Sequence, residues 1–264
     1  MTSNVAAKAG GEGTAVILGA SGAVGKPLLS LLVSESSPYS TVYSFARRPH
    51  PSPPTVSPNV EFHEILVDFD KIHNGDATET AKLSSIPPAS AVYITMGTTR
   101  AAAGSMAAFE KIDRGYVLSS ARALFHATSP ATLIYCSSGS SSSSSFFPYL
   151  KSKGLTEEGL ASIFPHTILM RPGFLKNAQR PESRIMERLA EPIVGLLGKV
   201  SDNIEAPVSD VAKAMVKAAL LGPQKLKSDG LGEAPAKSFK LEEGRSGDGV
   251  AVVGNPAVLK LAKE

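Results

Sequence analysis

Short β-branched apolar runs alternate along the chain with longer stretches in which apolar residues recur every three to four positions. Thr14–Gly19 (TAVILG) is the first run and reads as a strand buried on both faces. A helix follows, with Pro27 tolerated in its first turn and Leu28, Leu29, Leu31, Leu32 and Val33 facing the core. Thr41–Ala46, the run VEFHEILVDFD ending near Asp68, Ser90–Gly97, Ala131–Cys136 and Thr167–Gly173 predict five more strands. The spacing of Phe109, Ile112, Tyr116, Leu118, Ala121, Leu124 and Phe125 predicts one helix over Met106–His126. IEAPVSDVAKAMVKAALL predicts a strand and an amphipathic helix capped by Ser209 or Asp210, and VAVVGNPAVLKLAKE an edge strand and a short helix.

Four stretches break the alternation. Residues 1–13 are small and polar and read as a disordered lead-in, without the apolar core of a signal peptide or the arginines of a transit peptide. Pro49–Pro58 is too proline-rich for a helix or a central strand. Ser137–Ser145 holds eight serines in nine residues and reads as a flexible loop. Residues 222–249, rich in Gly, Lys and Ser, read as an exposed, partly mobile insertion.

The join of the first strand to the first helix carries the first chemistry. Gly19, Gly22 and Gly25 are spaced three apart, with Ser21, Ala23 and Val24 between them. A glycine turn between a strand and a helix N-terminus presents backbone N–H groups and the positive end of a dipole to an anion, and lets a pyrophosphate approach the main chain. Arg47 and Arg48 follow the second strand. An NAD-preferring protein usually places a carboxylate there, whereas two guanidinium groups suit a 2′-phosphate, so NADP(H) is the expected cofactor. Asp68, at the third strand's end, either accepts from the adenine amino group or caps the next turn. Gly97 ends the fourth strand where the main chain must pass close to the cofactor. The alternation and this turn predict an α/β fold: a Rossmann-type doubly wound parallel sheet, one NAD(P)-binding domain over 14–264, with small C-terminal substrate-side elements at 174–200.

In such a sheet the ligand lies outside the carboxyl ends of the strands. Ser137 and Ser138 then stand at the mouth of the fifth strand. Tyr149 and Lys153 follow four apart, on one face of a helix. A phenol with a pKa of ~10 is a poor acid or base at neutral pH, and a neighbouring ammonium favours its ionised form. A serine hydroxyl can hold a substrate oxygen while the tyrosine moves the proton. Pro172 lies in an Arg-Pro-Gly exit that lets backbone pass near the nicotinamide. Arg180 either contacts the cofactor or an acidic substrate group, or makes a plain surface salt bridge. The helix around Ile185, Leu189, Ile193, Leu196 and Leu197 reads as core or cap packing, with a dimer face or a membrane-surface helix as alternatives.

Composition excludes other classes. Of 264 residues, 42% are hydrophobic and 19% charged, so the chain folds as a globule. The net charge of +3 is spread without a long like-charge run, which gives no argument for nucleic acid. No apolar run approaches the ~18 residues that span a bilayer. Cys136 is the only cysteine, which points to a reducing, cytoplasmic compartment. The histidines show no metal-ligand spacing, and the glycine loop lacks the Gly-Lys-Ser/Thr of an NTPase.

GASGAVG, the Arg-Arg pair, the serine after the fifth strand and YLKSK together resemble the short-chain dehydrogenase/reductase superfamily. TTRAAAGSMAAFEKID (Thr98–Asp113), Tyr149-Leu-Lys-Ser-Lys-Gly and HTILMRPGFL (His166–Leu175) narrow the resemblance to an atypical branch. That branch includes the Tat-interacting-protein oxidoreductase and the fungal "found in mitochondrial proteome" proteins. The resemblance, over about Thr14 to Leu221, implies an NADP-dependent oxidoreductase with Tyr149 as proton donor or acceptor and Lys153 beside it. It implies that Ser21 to Val24, Arg47, Arg48 and Gly97 contact the cofactor. The expected partner is a small carbonyl or alcohol substrate. A homodimer, peripheral membrane association and a place on the cytosolic face of the mitochondrial outer membrane stay open. So do two other functions: an NADPH-binding regulatory or scaffold protein with little turnover, and a non-redox cyclase or isomerase on the same fold.

Overall fold

The computed structural model describes residues 11–126, 130–176 and 205–264. Strands β1 (Thr14–Leu18), β2 (Thr41–Ala46), β3 (Glu61–Leu66), β4 (Ala91–Ile94), β5 (Thr132–Cys136), β6 (His166–Arg171) and β9 (Val250–Gly254) form one sheet in the order β3-β2-β1-β4-β5-β6-β9. Every neighbouring pair in it is parallel. The short strands β7 (Phe174–Lys176) and β8 (Glu205–Pro207) pair with each other outside it.

The sheet is buried on both faces, as the continuous apolar runs require. Ala15 and Ile17 of β1 point into one core and Val16 and Leu18 into the other, the alternation a strand imposes. The first core is closed by α1 (Gly25–Leu32), α8 (Val208–Ser228, kinked at Gly222) and α9 (Asn255–Leu261). The second is closed by α2 (Phe69–His73), α3 (Ala77–Ser84), α6 (Val117–Leu124) and α7 (Pro148–Ile163). This is the expected doubly wound arrangement. The chain leaves β1 in one direction and returns to β4 on its other side, so the ligand crevice belongs at the carboxyl ends of β1 and β4.

Four expectations change. The helix predicted over Met106–His126 is α5 (Met106–Glu110), a π-turn (Lys111–Tyr116) and α6, with Phe125 extended; α4 (Arg100–Ala103) precedes them. A 3.6-residue period cannot register the single extra residue of a π-turn, and such turns often sit at functional sites.

The serine run folds back on α7 rather than hanging free. Ser142 N donates to Leu150 O at 3.2 Å, and Ser143 Oγ to Glu158 Oε1 at 2.6 Å. Residues 222–249 are tied down as well. Glu233 and Val252 exchange backbone hydrogen bonds at 2.9 and 2.8 Å, covering the open edge of β9, and Lys240 N donates to Glu158 Oε1 at 2.9 Å. At the start of the chain, Gly13 O accepts from Ser40 N at 3.1 Å, so order begins before Thr14; residues 1–10 lie outside the described residues.

Candidate active site

The glycine turn is shaped by contact. Gly19 holds φ +93°, and a Cβ there would sit 2.6 Å from Met96 N. A Cβ on Gly25 would sit 2.0 Å from Gly19 O. Gly22 N donates to Gly19 O at 3.0 Å, closing the turn. No side chain caps the start of α1; Lys26 N donates to Gly22 O at 3.0 Å and Leu28 N to Val24 O at 3.1 Å, and Pro27 has no N–H, so an anion there would meet the amides of Ser21, Ala23, Val24 and Gly25 rather than those further into the helix. These residues fit the diphosphate of a dinucleotide: a close-approach cradle, an uncapped helix N-terminus and no acidic residue in the first turn.

Next to the turn opens a cleft of about 410 Å³, lined by Arg47, Arg48, Leu66, Val67, Asp68, Glu79 and Lys82. Arg47 and Arg48 are exposed, and among the described residues neither has an ion-pair partner. Lys82 is already engaged, with Glu79 Oε1 at 2.8 Å and Leu66 O at 3.1 Å. Asp68 caps α2: its Oδ1 accepts from Asp70 N at 2.9 Å and Lys71 N at 3.2 Å. Of the two roles open for Asp68, the cap is the one seen. Glu79 and Lys82 were not singled out in the sequence; they reach this cleft only because α3 packs beside β3.

Across the crevice stands α7. Pro148 begins it, and Tyr149, Lys153 and Glu157 form a stripe at four-residue spacing. Tyr149 is 38% exposed, and its ring packs on buried Phe109 with centroids 5.7 Å apart. Lys153 is buried. Its Nζ donates to Tyr135 Oη at 2.9 Å and lies 3.0 Å from Asp113 Oδ1. A Cβ on Gly97 would lie 3.4 Å from that Nζ and 3.2 Å from Asp113 Oδ1. The ammonium therefore reaches the carboxyl end of β4, at the ligand crevice.

Tyr149 and Lys153 share one face of α7, as their spacing implies, and the ammonium's hydrogen bond goes elsewhere. The lysine donates to Tyr135 instead, and among the described residues the Tyr149 hydroxyl takes no hydrogen bond. Burial pulls the Lys153 ammonium toward neutrality, but the attraction of Tyr135, Asp113 and Tyr149 outweighs it and holds the group well above the usual lysine value. Burial pushes the Tyr135 phenol well up, against the pull of Lys153.

At the mouth of β5, Ser137 N donates to Met170 O at 2.8 Å. Ser137 and Ser138 place their Oγ atoms 3.2 and 3.0 Å from Ser141 Oγ, so the buried Ser141 joins them into one hydroxyl cluster. Ser140, at φ 60°, makes the reversal that brings Ser141 back. Pro172 O accepts from Gly139 N at 3.1 Å, and Gly173 N donates to Asn255 Oδ1 at 2.8 Å, which ties the Arg-Pro-Gly exit to the serine loop and to α9. Arg171 forks onto the fully buried Glu157, with Nε to Oε1 at 2.9 Å. Arg180 and the helix expected around Ile185–Leu197 lie outside the described residues.

Tyr135, Asp113, Glu157, Arg171 and Ser141 were not recognised as site residues in the sequence. One signal was present for Asp113, an acidic residue inside an otherwise apolar helical face.

The fold is that of the short-chain dehydrogenase/reductases. L-sorbose reductase from Gluconobacter frateurii, solved with NADPH and L-sorbose, superposes with a TM-score of 0.55 at 15% identity, covering 80% of this chain and 91% of that one. The Bordetella bronchiseptica enzyme WbmF, solved with NAD+, gives 0.55 at 16% identity over 96% and 77%. No family model matches the sequence. The mitochondrial protein fmp52-1 of Aspergillus terreus is 31% identical over 250 residues, which is 94% of this chain and 98% of the relative. The mitochondrial protein fmp52 of Emericella nidulans is 33% identical over 235 residues, or 85% and 92%. The chain belongs to the FMP52 family, within the atypical branch that its motifs resemble. The relatives are named as mitochondrial proteins, which overturns the cytoplasmic expectation drawn from the single cysteine. A lone thiol reports a reducing environment and carries no address.

Proposed function

We propose that this chain is an NADPH-dependent oxidoreductase that interconverts a carbonyl and an alcohol. One observation carries the reading: the Lys153 ammonium stands within about one van der Waals contact of Gly97, so α7 delivers its Tyr149–Lys153 face to the same crevice the glycine turn prepares for a dinucleotide. A nicotinamide dinucleotide bound there would supply or accept the hydride. Arg47 and Arg48 would hold its 2′-phosphate; this preference over NAD rests on two guanidinium groups at the end of β2 that have no ion-pair partner among the described residues. In the reducing direction Ser137 or Ser138 donates a hydrogen bond to the carbonyl oxygen, and Tyr149 gives that oxygen its proton. Lys153 stabilises the negative charge left on the tyrosine oxygen and holds the ribose side of the crevice. Oxidation runs the same transfers backward. The mitochondrial names of the relatives support a mitochondrial location, which subcellular fractionation checks.

Tyr149→Phe tests the mechanism. Turnover of a panel of aldehydes, ketones and quinones is expected to fall at least a hundredfold, within the range of a lost general acid, while the fluorescence of NADPH itself still changes on binding as it does with the wild type. Unchanged turnover would remove Tyr149 from the chemistry.

A further inference from the structure

Asp113 is fully buried, yet neither carboxylate oxygen receives a hydrogen bond of acceptable geometry among the described residues. Its one polar neighbour of opposite charge is Lys153 Nζ, 3.0 Å from Oδ1. An isolated buried carboxylate is among the most costly groups a fold can hold, so its place calls for an explanation. The chain goes to some length to put it there. In the π-turn over Lys111–Tyr116, Asp113 continues the buried face of Phe109 and Val117 at four-residue spacing, while its chain neighbours Lys111 and Arg114 turn away to pair with Asp70 and Glu110. Gly115 lets that turn seat against α2, since a Cβ would meet His73 Cε1 at 2.8 Å.

We propose that Asp113 is a positioning residue: the buried counter-charge that keeps Lys153 an ammonium and fixes it between Tyr135 and Gly97. A lysine in such a place, without a counter-charge, gives up its proton in the neutral range. The other groups around the ammonium do not replace the carboxylate. Tyr135, on β5, is held as a neutral phenol by burial and supplies an acceptor but no charge. Tyr149 shares α7 and is partly exposed. Glu157, one turn further along α7, is committed to Arg171 of β6. Among the described residues Asp113 is thus the one carboxylate facing Lys153 that no other cation claims. It acts on any ligand through the lysine and not directly.

The consequence for turnover rests on the hydride-transfer reading above; the protonation state of Lys153 does not, and the test reads it separately. The full chain labelled with carbon-13 lysine is titrated from pH 6 to 11 by NMR, with the Lys153 ε-carbon assigned by its loss in Lys153→Arg. In the wild type that carbon is expected to keep its ammonium shift through pH 10. In Asp113→Asn it is expected to move to the amine shift with a midpoint below pH 10, at least about one pH unit under the wild type. Asp113→Glu, which restores the charge, should return it toward the wild-type value. NADPH-dependent turnover, where present, should fall as pH rises through that midpoint in Asp113→Asn only. A Lys153 that stays an ammonium through pH 10 in folded Asp113→Asn overturns the proposal. If Asp113→Asn does not fold, the wild-type titration decides: an amine below pH 10 overturns the proposal, and an ammonium through pH 10 supports it. A wild-type chain that turns over no carbonyl with NADPH would instead sink the functional reading and leave the titration standing.

Discussion

Gly154 of α7 lies against the backbone of Ser142: a Cβ added to the glycine would sit 2.2 Å from the serine carbonyl carbon and 2.2 Å from the next amide nitrogen. No real Cβ tolerates such an approach, and neither atom belongs to a side chain that can swing away. The serine run, with its small side chains, can follow the helix this closely, and Gly154 directly follows Lys153. Gly154→Ala is therefore expected to push the serine loop off α7 and shift the Ser137–Ser138–Ser141 cluster. A cost of about 1–3 kcal/mol in urea unfolding is expected, as for other overpacked contacts. A larger proportional loss in kcat than in NADPH affinity should accompany it, because the cofactor cradle lies on the other side of the crevice. Equal stability of Gly154→Ala and wild type would mean that the loop does not rest on the helix.

The pair Glu157–Arg171 joins α7 to β6 with the carboxylate fully buried. Removing one partner strands a buried charge, and the expected penalty is about 3–5 kcal/mol. Arg171→Met alone should show this loss in chemical denaturation. The double variant Glu157→Leu with Arg171→Met should recover most of it, since a matched apolar pair carries no desolvation cost. A double variant as unstable as the single one would show that the residues matter separately.

Arg47 and Arg48 give the cofactor preference its own test. Replacing both with alanine is expected to weaken NADPH binding by tenfold to a hundredfold, or about 1.4–2.8 kcal/mol, and to leave NADH binding within about threefold. Fluorescence titration with each dinucleotide reads the two effects. Parallel losses for both would place the arginines away from the 2′-phosphate.

How much of this was legible in the sequence depends on the range of each interaction. The glycine turn, the Arg-Arg pair and the Tyr149–Lys153 spacing are local patterns, and the structure brings Gly97 and Lys153 to one crevice as the sheet order requires. The partners of Lys153 were not legible. Tyr135 reads as one more apolar position in a buried strand, and Asp113, though on the apolar face four residues from buried Phe109 and Val117, does not show in the sequence that its partner is Lys153 of α7. Arg171 and Glu157 meet through tertiary packing of β6 against α7. The serine run misled in the opposite direction. Composition reads eight serines as slack chain, but the slack is taken up by Gly154, Leu150 and Glu158.

The buried Lys153–Tyr135 contact also sets an alkaline limit on stability. Both groups are held above their ordinary values in the folded chain, Lys153 against its own burial and Tyr135 because of it. The sign is the same for both. Above pH ~10 the unfolded chain sheds protons from its lysine and tyrosine while the folded chain keeps them, so the unfolded state binds fewer protons and stability falls as pH rises. Below the unfolded values the contribution is present in full. Urea unfolding at pH 8, 9, 10 and 11 should show the wild type losing stability only in the last two steps. Lys153→Met and Tyr135→Phe should each be less stable at pH 8 but lose less between pH 10 and 11. Part of the slope will survive in both variants, because the buried Tyr39–Tyr93 pair, hydroxyls 2.8 Å apart, is also shifted upward by burial and titrates in the same direction. If the slopes of wild type and both variants coincide, Lys153 and Tyr135 titrate alike in the folded and unfolded chain, and the buried contact has no hold on their protons.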